Sequence, residues 1–169
     1  DLASLNRLLP ASAERSLRLG KGITIPELLA HRALLSHVTH LQGTQSALSW
    51  KEATILASLS ELEALRELDL SQIHLGALGA SALGEGCWPM LRALNLSFNH
   101  ITSTGVRTLI EGGTTPALRT LDLSTNQLGH ERVRALMAAP LHPPQEEMQI
   151  NQKEIGPQAA VGLAREPKA

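Results

Sequence analysis

Residues 91–101 read LRALNLSFNHI, with leucines at 91, 94 and 96, an asparagine at 99 and an isoleucine at 101. Alone, the segment describes a short buried strand that runs into a turn. Residues 65–75, LRELDLSQIHL, and 118–128, LRTLDLSTNQL, repeat it with the same apolar positions in register. The three copies begin 26 and then 27 residues apart. A period of that length marks a stacked array of supersecondary units.

Fainter copies flank the clear ones. Residues 38–48 (VTHLQGTQSAL) keep Val38, Leu41 and Leu48, with Gly43 where a leucine stands elsewhere. Residues 15–24 (RSLRLGKGIT) place Leu17 and Leu19 in the paired positions. Downstream, residues 146–156 (EEMQINQKEIG) offer Met148, Ile150 and Ile155, with Gln145 in the leading position. The chain thus reads as about six repeats, clear over 65–144 and degenerate over 14–64 and 145–169.

Between strands the spacing turns helical. Leu75, Leu78, Ala82 and Leu83 share one helical face, as do Val106, Leu109 and Ile110. Gly112 and Gly113 follow the second of these as a stop. Val133, Leu136 and Met137 repeat the pattern, and Pro26 suits the first helical position of IPELLAHRALL (25–35). A unit of strand, turn, helix and return loop cannot bury its apolar face alone. The expectation is therefore a single α/β domain over 1–169. It would be a solenoid with a parallel β-sheet on its concave face and helices on its convex face. The stretch APLHPPQEE (139–147) holds three prolines and reads as an extended connection. Neither end carries a polar cap, and the first residue is Asp1, so the expectation is a piece of a longer chain or a larger assembly.

Composition narrows the function classes. The chain is 43% hydrophobic but 2% aromatic, with no tyrosine, so its core is aliphatic. Fifteen basic against sixteen acidic side chains leave no electrostatic case for nucleic acid or an anionic membrane as partner. No apolar run reaches the roughly eighteen residues of a membrane span. Residues 1–10 lack the basic flank of a signal peptide. The single cysteine, Cys87, excludes an internal disulfide and favours a reducing, intracellular, cytoplasmic location. It is expected to be a small buried hydrophobe.

The pattern resembles the leucine-rich repeat superfamily, specifically the long, helix-bearing intracellular type typified by ribonuclease inhibitor. The likeness rests most on residues 65–136. Gly79 and Gly105 stand where such proteins commonly carry a glycine, and GCWPML (86–91) resembles their return loop. The chain departs from the pattern with Arg132 at the third glycine position and Ile73 where asparagine is usual. Asn99 and Asn126 occupy the repeat's asparagine position. They are read as structural, their amides serving backbone groups where the chain leaves the strand.

Alternation along a strand puts the residues between the leucines on the concave face. One outward row is expected to read Ser16, His40, Glu67, Ala93, Thr120, Glu147, and a second Arg18, Gln42, Asp69, Asn95, Asp122, Gln149. A third reads Gly20, Thr44, Ser71, Ser97, Ser124, Asn151. In the first two rows four acids face one arginine. The candidate partner-binding set is Glu67, Asp69, Ser71, Asn95, Ser97, Phe98, His100, Thr120, Asp122 and Ser124. Phe98 has a rim position beside His74 and His100, where an aromatic anchors an interface or packs on the neighbouring turn.

Catalytic, cofactor and metal sites are not expected. His31, His37 and His40 lack ligand spacing, and HERVR (130–134) has no second histidine for a zinc-protease motif. Asn95-Leu96-Ser97 matches a glycosylation sequon but falls inside a strand. The function expected is a non-catalytic protein-interaction module, a scaffold or assembly subunit. The resemblance also implies alternatives: a regulator of another enzyme (ubiquitin-ligase substrate receptor, small-GTPase regulator or enzyme inhibitor), or the sensing tail of an innate-immune-type receptor.

Overall fold

The leucine comb sets the architecture seen in the computed structural model, which describes residues 15–19, 25–43, 49–112, 116–128 and 149–151. The elements run β1 (Arg15–Leu19), α1 (Ile25–Ala30), α2 (Arg32–Leu35), β2 (Val38–Gly43), α3 (Trp50–Ala57) and a 3-10 turn (Leu62–Ala64). There follow β3 (Glu67–Asp69), α4 (Gly76–Gly84), β4 (Ala93–Asn95), α5 (Ser103–Glu111), β5 (Thr120–Asp122) and β6 (Gln149–Asn151). The six strands form one wholly parallel sheet in sequence order. Parallel neighbours need a long crossover, and the helices supply it.

Leu68, Leu94 and Leu121 are lateral partners, each at most 2% exposed. With the leading leucines 65, 91 and 118 they meet Ala53, Leu56, Leu83, Val106 and Leu109 from the helices in one core. Each buried leucine contributes about 1.5–3 kcal/mol relative to an exposed one. The helices therefore cover one face of the sheet and leave the other open. Trp88 is the largest fully buried side chain, and its ring is so close to Gly86 that an added Cβ there would lie 2.9 Å from it. The helix α3 begins with a capping box. Ser49 accepts from the Lys51 backbone and Glu52 reaches back to the Ser49 amide at 2.8 Å.

Several expectations need correction. Leu78 is 67% exposed, because the buried stripe of α4 runs through Gly79, Ala80, Leu83 and Gly84. The helix α5 does stop at Gly112, which caps it in a right-handed conformation, φ −59°. Its glycine is explained by packing: a Cβ there would lie 2.0 Å from the Gly84 carbonyl oxygen. Pro26 is the second residue of α1, still inside the first turn, where its missing N–H does no harm. The last strand is displaced by two residues from the expected register. Ile150 pairs with Leu121, so Gln149 joins the first outward row and Asn151 the second. A shift of two preserves which side each residue faces, which is why hydrophobic pattern alone did not fix it. Cys87, expected buried, is exposed, since its loop turns Gly86 and Trp88 inward on either side of it.

Other expectations lie outside the described residues: the helix through Val133, Leu136 and Met137 with Arg132, the proline stretch 139–147 with Gln145 and Glu147, and Gly20, Thr44, Leu48, Gly113, Met148 and Ile155.

Gly112→Ala is expected to destabilise the protein by about 1–3 kcal/mol, as overpacking does, measured by urea unfolding. Hydrogen bonds from the Ser49 hydroxyl and amide hold the Glu52 carboxyl below its ordinary range. Its contribution is thus complete at neutral pH and is lost as pH falls through the carboxylate range. Glu52→Gln should flatten the acid limb of a Tm-against-pH profile.

Candidate functional site

Parallel pairing aligns the outward residues into two continuous rows. The first is Ser16, His40, Glu67, Ala93, Thr120, Gln149, and the second Arg18, Gln42, Asp69, Asn95, Asp122, Asn151. Above them lies a depression of about 410 Å³ whose floor includes Glu67, Asp69, Ala93, Asn95, Thr120 and Asp122. Within these rows three carboxylates, Glu67, Asp69 and Asp122, face one guanidinium, Arg18. The register puts Gln149, in place of the expected Glu147, opposite Thr120.

The second row is partly committed to the fold. Asp69 Oδ1 accepts from Ser71 N at 3.0 Å, Asn95 Oδ1 from Ser97 N at 3.0 Å, and Asp122 Oδ1 from Ser124 N at 2.9 Å. The Ser97 hydroxyl also donates to Asn95 at 2.8 Å, and the Ser124 hydroxyl to Asp122. Strands β3, β4 and β5 therefore each end in an Asx turn. Ser97 and Ser124 are 7% exposed and present little surface, whereas Ser71 is half-buried. The first row has no such duty. Glu67 Oε1 lies 3.5 Å from His40 Nε2 with its side chain 61% exposed, and Thr120 is half-buried. The second oxygen of Asp69 accepts from Gln42 Nε2 at 3.5 Å.

Asn99 and Asn126 stand one turn further on and are buried at 0% and 5% exposure. Asn99 Oδ1 accepts from Ile73 N at 3.0 Å and Leu75 N at 3.3 Å, and its amide donates to Leu70 O at 2.6 Å. Asn126 Oδ1 accepts from Asn99 N at 3.0 Å and Ile101 N at 2.9 Å, and its amide donates to Leu96 O at 2.9 Å. At the rim the backbone is left-handed at Gln72, Phe98 and Thr125, and again at His74 and His100. Phe98 is 49% exposed there. His100 is exposed and stacks on His74, ring centroids 5.3 Å apart and planes 7° from parallel. The first outward row sets His40 beside Glu67, and the repeat register sets His74 and His100 together at the rim beside Phe98.

Among the described residues no three His, Cys, Asp or Glu side chains are grouped to hold a metal ion. No helix among them is long and apolar enough to cross a membrane.

Residues 89–109 match the leucine-rich repeat family model. Over those residues the chain is similar to a leucine-rich repeat. The matched span runs from the return loop through β4 and the Asn99 turn into α5, which is one unit of the geometry above. No curated protein matches the chain. Leucine-rich repeats commonly serve protein–protein interaction and are generally non-enzymatic.

Asn99→Ala would orphan two buried amides and a carbonyl, at about 1–3 kcal/mol for each group before relaxation. The expected loss is roughly 3 kcal/mol in urea unfolding. Gln127→Ala, at an exposed position of the next turn, should stay within about 0.5 kcal/mol of the parent.

Proposed function

We propose that residues 1–169 are a single leucine-rich-repeat domain of the ribonuclease-inhibitor-like type, about six repeats curved into a solenoid. Its concave sheet face binds another protein, and the domain acts as a non-catalytic scaffold or assembly subunit. The observation that carries this reading is the pair of polar, short-side-chained rows running in unbroken register beneath an open depression. Side chains fixed on a parallel sheet lose little freedom on contact, so a broad complementary surface binds without a reorganisation cost. Glu67, Asp69 and Asp122 favour a partner that presents basic or polar groups. Thr120 and Ala93 leave room between them, and Phe98 and His100 extend the surface onto the rim. An exposed free thiol at Cys87 suits a reducing, intracellular setting.

Asn95 performs the turn duty without a charge, so Asp69→Asn and Asp122→Asn remove charge while keeping the turn bonds. Affinity capture with mass spectrometry should be run on the parent, on Glu67→Gln/Asp69→Asn/Asp122→Asn, and on Ala93→Arg, which fills the depression. Partners lost from both variants are the expected result. The same partners retained by both would overturn the reading.

A further inference from the structure

The edge where the chain enters the strands carries a second charged feature. In each clear repeat the residue after the leading leucine is an arginine: Arg66, Arg92 and Arg119. Backbone bonds lock them side by side, Arg92 N donating to Arg66 O at 2.8 Å and Arg119 N to Arg92 O at 2.8 Å. Neighbouring strands stand about 4.8 Å apart, so three guanidinium stems leave one edge at that interval. All three residues are exposed, and among the described residues none of them forms an ion pair. Arg32 and Arg107, by contrast, pair with Glu61 at 3.0 Å and Glu111 at 2.8 Å. Like charges on adjacent strands repel, and nothing in the packing calls for a guanidinium at these positions. Beside the central arginine, Met90 exposes 48% of its surface.

We propose that this row docks an acidic segment of a partner polypeptide. Carboxylates meet the three guanidinium forks, and an apolar side chain of the segment rests on Met90. Guanidinium pairs with carboxylate through two parallel hydrogen bonds, a geometry that long arginine stems reach even when the spacings differ. Alternate side chains of an extended peptide stand about 6.8 Å apart, a mismatch those stems absorb. A nucleic-acid strand fits less well. Single-stranded nucleic acid is held largely by bases stacked on aromatic rings, and the Trp88 ring is buried and cannot stack on a base. This edge is distinct from the outward face, so the two surfaces fail or succeed independently.

The test is fluorescence anisotropy of the full chain with a labelled peptide of glutamates flanking one leucine, with poly-uridine RNA and inorganic phosphate as competitors. Arg66→Gln/Arg92→Gln/Arg119→Gln should weaken peptide binding about tenfold or more, and Met90→Ala about threefold. Asp69→Asn/Asp122→Asn should leave it unchanged or tighten it. The triple variant should melt at or above the parent temperature, which separates lost docking from lost folding. Peptide binding that survives the triple variant would overturn the proposal. So would RNA binding more tightly than the peptide, or phosphate displacing it at equal concentration.

Discussion

A chain that turns off a parallel strand inside a stack must find partners for backbone groups that no longer lie on the ladder, and here buried side-chain amides supply them. Asn99 and Asn126 each take two backbone N–H groups and return at least one donor to a carbonyl. With the amides in place, β3 and β4 stop after three residues and the apolar residues beyond them, Leu75 and Ile101, still turn inward. Helix placement, the glycine seam between α4 and α5, and the open face of the sheet all follow from that fixed turn.

The comb of leucines made the repeat, the parallel sheet and the outward rows legible before any coordinates, because its period is long and its in-register positions are strict. The flanks were harder to read. In the last strand a displacement of two residues keeps every hydrophobe on its side, so Met148, Ile150 and Ile155 suited more than one pairing. Burial around α4 was misjudged at Leu78 because glycine and alanine, invisible to a hydrophobic count, form its contact stripe. Cys87 was misjudged because small size is a weak guide inside a loop whose neighbours, Gly86 and Trp88, take the interior.

The candidate site shows a similar division. Sequence alternation assigned the outward face, yet it could not separate side chains that are free from those already employed. Asp69 and Asp122 each give one oxygen to a turn and also line the depression, so fold and surface charge are coupled in one residue. Asn95, between them, does the turn's work while adding no charge. The charge of the second row can therefore vary from repeat to repeat without disturbing the strand ends. In row one, no side chain among the described residues closes such a turn.

The bonds that the amides make across repeats run in one direction, although the Asn126 amide also donates to Leu123 O in its own turn at 3.0 Å. Asn99 serves the turn at 70–75, and Asn126 serves the turn at 96–101, so each repeat completes the one before it. Ile73 offers no amide of its own, and the chain of dependence ends there. Ribosomal synthesis runs the same way as this dependence. A nascent repeat emerges with its turn unfinished and stays so until the next asparagine has been made. For the turns at 70–75 and 96–101, the asparagine that completes the turn is therefore made one repeat later than the turn itself.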